Sequence, residues 1–272
     1  MFPRATLTIP AISFGDVGLC QVAALEQNTM SSLDDVGPAA IELSESYIYG
    51  LTNAVVYPPG IVTVNGKVLK ETLAHIPFGQ LGYARSEHTV ELPDAASHTD
   101  LAEAFHLLGG NNQNYFHWML DILPRLQVEP FANRRFAGPI LVPSMRTTFQ
   151  RDSLALLLAQ PNPVISVTDH EAVRVGTLHF IPNLVGYGFA PSPNLNTFFD
   201  ILKQRLTARS GLARRIYVSR KDSGNRRLIN EDAVISLVSK YGFEVVELSR
   251  LTLSEQASVF ASATQIVAPH GA

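Results

Sequence analysis

The sequence predicts an α/β protein in which a β-rich N-terminal region precedes two runs of alternating strands and helices. Three observations carry that prediction. From about residue 99, short apolar strands alternate with helical segments, the arrangement of crossover units in a mainly parallel sheet. Residues 216–268 read as a βαβαβ unit in their own right. Composition sets the scale: 272 residues, 46% hydrophobic and 17% charged, suffice for one large or two small domains with a sizeable core.

Residues 1–98 are expected to form a small accessory sheet. Pro58-Pro59-Gly60 interrupts it, and Ile61 to Leu69 reads as a hairpin, because Asn65-Gly66 tolerates the positive φ of a type I′ turn between alternating apolar residues. Residues 99–208 are expected to hold a helix from Tyr115 to Leu123, a strand from Pro139 to Val142 and a helix from Thr147 to Ala159. Strands at Val164 to Val167 and Thr177 to Ile181 come next, then a helix from Asn194 to Ala208. The Pro- and Gly-bearing stretch Pro182 to Pro193 is expected to be a loop between substructures.

Residues 209–272 are the clearest. A strand at Ile216 to Ser219, a helix at Glu231 to Lys240, a strand at Phe243 to Leu248, a helix at Leu253 to Ala261 and a strand at Gln265 to Ala268 alternate without interruption. Gly242 stands where a helix end needs a left-handed residue, and Thr252 with Glu255 three positions later forms a capping-box pattern. A parallel sheet that stops at Ala272 lacks the helix that would cover its last strand, so a truncated chain is expected.

Charge and cysteine content narrow the function classes. Lys and Arg (21) nearly balance Asp and Glu (24), for a formal net charge of −3, so no global attraction to nucleic acid or anionic membrane is expected and phosphate chemistry must come from a local cluster. Cys20 is the sole cysteine, which excludes an intrachain disulfide and any zinc site built on paired thiolates. Met1 to Cys20 lacks a basic stretch followed by an unbroken apolar core, and no segment approaches the roughly 18 apolar residues of a membrane span. A cytoplasmic protein, at most peripheral to a membrane, is expected.

Three segments carry candidate chemistry. In Asn114-Tyr115-Phe116-His117-Trp118-Met119-Leu120-Asp121-Ile122-Leu123-Pro124-Arg125-Leu126, helical spacing puts His117, Asp121 and Arg125 on one face and Phe116, Met119, Leu120 and Leu123 on a core stripe. A histidine beside a carboxylate can accept a hydroxyl proton, since the carboxylate stabilises the imidazolium. The same spacing suits an ion pair on a solvated face. Arg220, Lys221, Arg226 and Arg227 fall in the loop after the first strand of the βαβαβ unit, at the sheet edge where ligands of open parallel sheets collect. Four cations there suit a diphosphate, or a plain solvated loop. Asn230 and Glu231 read equally as ordinary cap and first-turn residues.

Ala268-Pro269-His270-Gly271-Ala272 succeeds another strand at that edge; Gly271 would permit close backbone approach to a phosphate or sugar, and His270 could donate to either, although a plain turn fits as well. Glu255 is explained by the capping box, with a ligand role as the alternative. The remaining histidines show no paired metal-ligand spacing, and no two aspartates are separated by one residue. The Asp-x-Asp pair that holds a divalent cation on a sugar diphosphate is therefore missing, and no metal is expected.

Taken in order, the segment Asn114 to Leu126, then Tyr217-Val218-Ser219-Arg220 with Arg226-Arg227-Leu228-Ile229-Asn230-Glu231, then Val267-Ala268-Pro269-His270-Gly271-Ala272, resemble the signature of glycosyltransferase family 61 (DUF563). The resemblance covers about residues 100–272 and implies a GT-B-like fold, with two Rossmann-like domains facing a cleft. These would be an acceptor-side domain at 99–208 and an incomplete donor-side domain at 209–272, behind the β-rich region 1–98. It implies an inverting transfer from a nucleotide-sugar donor, a UDP-sugar, to a glycan or other hydroxyl acceptor. No further cofactor is implied, and a short chain without disulfides looks most like the bacterial branch that serves capsular and exopolysaccharide biosynthesis. Arg220 and Arg226 would contact the diphosphate with His270 and Gly271 beside it, while Asn230 and Glu255 join the nucleotide-sugar site; His117 and Asp121 would form the catalytic pair. A non-catalytic carbohydrate- or nucleotide-binding module of the same fold and a sugar-nucleotide epimerase stand as alternatives.

Overall fold

The computed structural model describes residues 6–12, 20–24, 47–73, 89–93, 97–127, 136–158, 162–168, 171–181, 193–206, 211–224 and 227–269. The expected loop at Pro182 to Pro193 lies outside them except for Pro193 itself. The chain divides into two compact units, Met1–Gln150 with Leu157–Phe199, and Arg151–Leu156 with Asp200–Ala272.

The first unit is built on a ten-stranded sheet. Its strands are β1 (Thr6–Ile12), β2 (Cys20–Ala24), β3 (Tyr47–Tyr57), β4 (Ile61–Val64), β5 (Lys67–Leu69), β6 (Thr89–Pro93), β7 (Ser97–His106), β8 (Ile140–Pro143), β9 (Val164–Val167) and β10 (Glu171–Phe180). They run in the order β6-β1-β5-β4-β3-β10-β7-β8-β9, with β2 beside β3. The hairpin forms as its turn chemistry requires: Val64 pairs with Lys67, and Asn65 (φ 50°) and Gly66 (φ 71°) both adopt positive φ.

One expectation needs correction. The sheet of the first 98 residues does not stand apart, because β3 lies antiparallel along β10 from Val56↔Val173 to Tyr49↔Phe180. The expected boundary at residue 98 thus falls inside one sheet. Within it the strands from residue 97 on, β7, β8, β9 and β10, pair parallel with one another as expected, whereas β2, β3 and β4 pair antiparallel. The physical reason is a shared core. Leu51, Ala54 and Val56 of β3, Val62 and Val64 of β4, Leu141 of β8, Val167 of β9, and Val173, Val175 and Leu178 of β10 pack in one buried cluster, which no separate N-terminal sheet could complete.

Three helical segments follow in the chain between residues 115 and 205. Residues 115–127 form α1, which changes type along its length: α-helical over Tyr115–His117, a π-turn over Trp118–Ile122 and 3₁₀ over Leu123–Gln127. Pro124 explains the change, since it has no N–H to continue the α ladder and its ring excludes the carbonyl four residues back. Next come α2 (Thr148–Leu157) and α3 (Pro193–Arg205). In α3, Leu195, Phe198 and Leu202 form the buried stripe at helical spacing.

The second unit carries the expected βαβαβ order: β11 (Arg214–Val218), α4 (Glu231–Ser239), β12 (Phe243–Val246), α5 (Leu253–Ser262) and β13 (Ala263–Val267). All its pairings are parallel, in the order β12-β11-β13. Period-2 alternation in β11 sends Ile216 and Val218 into a small core with Val246, packed by Leu248, Leu251 and Val259. Gly242 takes φ 78° just past α4, and Thr252 and Glu255 bond reciprocally in a capping box at α5. Among the described residues no helix is long and apolar enough to cross a membrane.

Candidate active site

The helix break at Pro124 shapes the first site. Asn114 caps α1, its side-chain oxygen accepting from the Phe116 N–H at 2.9 Å. One turn on, His117 Nδ1 and Asp121 Oδ2 are 2.6 Å apart, with the two side chains 17% and 8% exposed. The solvated ion-pair reading of this spacing therefore gives way to a pair whose carboxylate is buried and whose histidine reaches the surface. With Asp121 ionised, Nδ1 is the donor and Nε2 carries the lone pair, which is the orientation a general base needs.

The apolar face of α1 differs from expectation. Trp118, Met119, Ile122, Leu123 and Leu126 are buried, while Phe116 is 40% exposed and Leu120 only half-buried. The π-turn inserts an extra residue and rotates the rest of the helix, so a stripe counted at 3.6 residues per turn misses it. Tyr115 and Phe116 are left exposed beside His117.

Beside Asp121 lies a small cavity in which Glu71, His106, Asp121 and Arg125 meet the apolar Leu108, Ile122 and Phe180. Arg125, only 2% exposed, donates from Nε to the Asp121 carbonyl at 2.8 Å and from Nη1 to the Leu108 carbonyl at 2.9 Å. Its guanidinium thus supplies a donor to the backbone where the irregular helix turns. Burial pulls its pKa down to about 10, against the opposing pull of Asp121. His106, 1% exposed, places Nε2 at 3.0 Å from the Gly60 carbonyl, and its Nδ1 is buried with no hydrogen-bond partner among the described residues. Desolvation, with the Arg125 charge second, lowers its pKa to about 3, so this histidine is neutral at physiological pH. Gly60 at φ 136° permits the close approach: a Cβ there would stand 2.7 Å from Leu108 Cβ. His106 thus takes the core role open to a histidine without metal-ligand spacing, and its place within the apolar run Phe105-His106-Leu107-Leu108 is the local signal for it.

The second site lies just past β11. Here the expected basic loop is tied down by its own polar groups. Lys221 Nζ pairs with Asp232, Arg220 Nη2 donates to Ser223 Oγ at 2.9 Å, and Arg227 Nε donates to the Ser223 carbonyl. Arg226, His270 and Gly271 lie outside the described residues. Asn230 occupies the N-cap position of α4, yet its side chain makes no capping bond. Glu255 accepts from the Thr252 N–H and hydroxyl, each at 2.8 Å, and lines a groove of the second unit with Glu247 and Arg250.

Glu231 departs most from the ordinary first-turn role. It is 4% exposed, and its Oε1 accepts from the Ser219 hydroxyl at 2.9 Å, the Arg220 N–H at 2.9 Å and the Tyr217 hydroxyl at 3.2 Å. Desolvation opposes its charge, but these three donors and Lys221 outweigh it and hold the carboxyl below its usual value. In turn, burial and the Glu231 carboxylate push Tyr217 up to about 12. Among the described residues no three His, Cys, Asp or Glu side chains gather in a way that could hold a metal ion.

No curated protein matches this chain. A family model described as Glycosyltransferase 61 matches residues 115–272, beginning at the first helical residue of α1 and taking in the whole of the β11 loop. Since that match spans more than half of the 272 residues, the chain belongs to the glycosyltransferase 61 family.

Proposed function

We propose that this glycosyltransferase is an inverting enzyme that moves a sugar from a nucleotide-sugar donor, a UDP-sugar, to a hydroxyl of a glycan acceptor. The observation that supports this best is the His117–Asp121 pair, held at 2.6 Å with the carboxylate on Nδ1. His117 Nε2 takes the acceptor hydroxyl proton as that oxygen attacks the anomeric carbon. The bond from that carbon to the diphosphate oxygen breaks in the same displacement, and the bonding pair leaves with the nucleoside diphosphate. Arg220 and Arg226 meet the developing charge. Asp121 stabilises the imidazolium that forms.

Metal independence belongs to the same reading: arginines take the place of a cation on the diphosphate, and turnover is expected to survive EDTA. Lost activity that manganese restores would refute that part. The single Cys20 and the signature segments support a place in bacterial capsular or exopolysaccharide synthesis, in the cytoplasm. Product analysis with a radiolabelled sugar nucleotide, with and without acceptor, tests the activity. Label in the acceptor with inverted anomeric configuration is the expected result. Label recovered only as an epimerised sugar nucleotide, or donor bound and unconsumed in every acceptor mixture, would overturn it.

A further inference from the structure

Glu231 is buried in the second unit, yet the displacement needs no carboxylate there. A buried carboxylate is costly unless its lone pairs are taken up, and this one gathers three donors on a single oxygen. Two of them come from one face of β11 and its extension, since residues 217 and 219 point the same way along a strand. The third is the main-chain N–H of Arg220. The Ser219 hydroxyl, donating to Glu231, also accepts from the Lys221 N–H at 3.1 Å. A clasp results, in which the first turn of α4 grips the main chain of Arg220 directly and that of Lys221 through the Ser219 hydroxyl. The loop then closes on itself, with the Ser223 N–H donating to the Arg220 carbonyl at 3.0 Å and Arg220 Nη2 to the Ser223 hydroxyl at 2.9 Å. The main chain and the guanidinium of Arg220 are thereby both referred to one carboxylate. The same first turn carries Asp232, already paired with Lys221, so this helix start is occupied by its own acids.

We propose that Glu231 is a positioning residue for diphosphate recognition, fixing the Arg220 main chain and so the place from which the guanidinium meets the donor. This rests on the reading of Arg220 as a diphosphate ligand. The role is preorganisation: a residue whose charge repels the ligand is retained because it spares the arginine the cost of ordering on binding.

Calorimetric titration of the full chain with UDP and with uridine separates the possibilities. Arg220→Ala is expected to weaken UDP about 10- to 100-fold, the scale of a charge-assisted hydrogen bond, and to leave uridine unchanged. Glu231→Gln should weaken UDP about 10-fold, again sparing uridine, and the double variant should bind UDP no worse than Arg220→Ala within about a factor of two. Losses that simply multiply, or an equal loss for uridine, would reduce Glu231 to a stabiliser of the fold. If Arg220→Ala binds UDP normally, or the parent protein binds neither UDP nor another nucleoside diphosphate, the reading of the site itself fails instead. Should Glu231→Gln not fold, Tyr217→Phe removes one donor from the same oxygen and is expected to show the same selective loss in smaller degree. A Tyr217→Phe variant that leaves UDP affinity unchanged would then overturn the proposal.

Discussion

The two candidate sites are stabilised in opposite ways. Around His117 and Asp121, the buried Trp118, Met119, Ile122 and Leu123 and the buried Arg125 hold the backbone, so the pair sits on a scaffold that a single surface charge cannot disturb. The β11 loop rests on a far smaller core, centred on Ile216, Val218 and Val246, and depends for its shape on one buried carboxylate, the exposed Lys221–Asp232 pair and hydrogen bonds to Ser223. Rigidity suits a group that must meet one proton at one distance. A loop that grips a diphosphate gains from being held by few, replaceable contacts, because it must both bind and release.

Removing the pair itself gives the largest expected effect. His117→Ala should lower kcat by about 100-fold or more with donor affinity nearly unchanged, as steady-state kinetics and nucleotide titration would show. A variant with normal kcat would make the segment architectural and leave the β11 loop as the sole functional site. Next in size, Arg125→Met should cost about 2–4 kcal/mol in urea unfolding, because it leaves the Asp121 and Leu108 carbonyls buried without this donor. Lys221→Ala, which removes an exposed pair with Asp232 and the smallest of the influences on Glu231, should leave the urea midpoint nearly unchanged. Equal losses in the two variants would erase the contrast between the sites.

Acid offers a finer test. His106 is held neutral, its pKa lowered from 6.5 to about 3, so below pH 6.5 the unfolded chain binds a proton that the folded one refuses. Its contribution to stability therefore falls as pH drops from about 6.5 towards 3. Glu231 is the opposite case, a carboxyl whose pKa lies below its ordinary 4.5: its contribution is intact above 4.5 and is lost only as pH falls through the lower folded value. Hydrogen exchange at β7 and β11 should then show β7 amides losing protection first, between about pH 6 and 5. Protection lost first at β11 in that window would reverse the ranking.

Much of the second unit was legible from the chain alone. A short apolar strand, a helix with an acidic first turn, a glycine at the helix end and a capping box are local signals, and each formed where its own residues specified it. The same holds for the Asn65-Gly66 hairpin and for the i, i+4 pairing of His117 with Asp121. What escaped was long-range. The pairing of β3 with β10 joins segments more than a hundred residues apart, and nothing in either segment names its partner. The π-turn over Trp118–Ile122 is accompanied by a long-range bond, from Arg125 Nη1 to the Leu108 carbonyl, that the spacing within the segment does not reveal. Glu231 looked like an ordinary helix start, because its burial arises only when α4 packs its first turn under Tyr217 and Ser219. By itself, then, the sequence determined the strands, helices and turns whose hydrogen bonds close within a few residues, together with the family signature they carry. Only the tertiary structure decided which polar side chains left water, since desolvation is a property of the assembled neighbourhood, and among the described residues it is burial that distinguishes His106, Asp121, Arg125 and Glu231 from the other ionisable side chains.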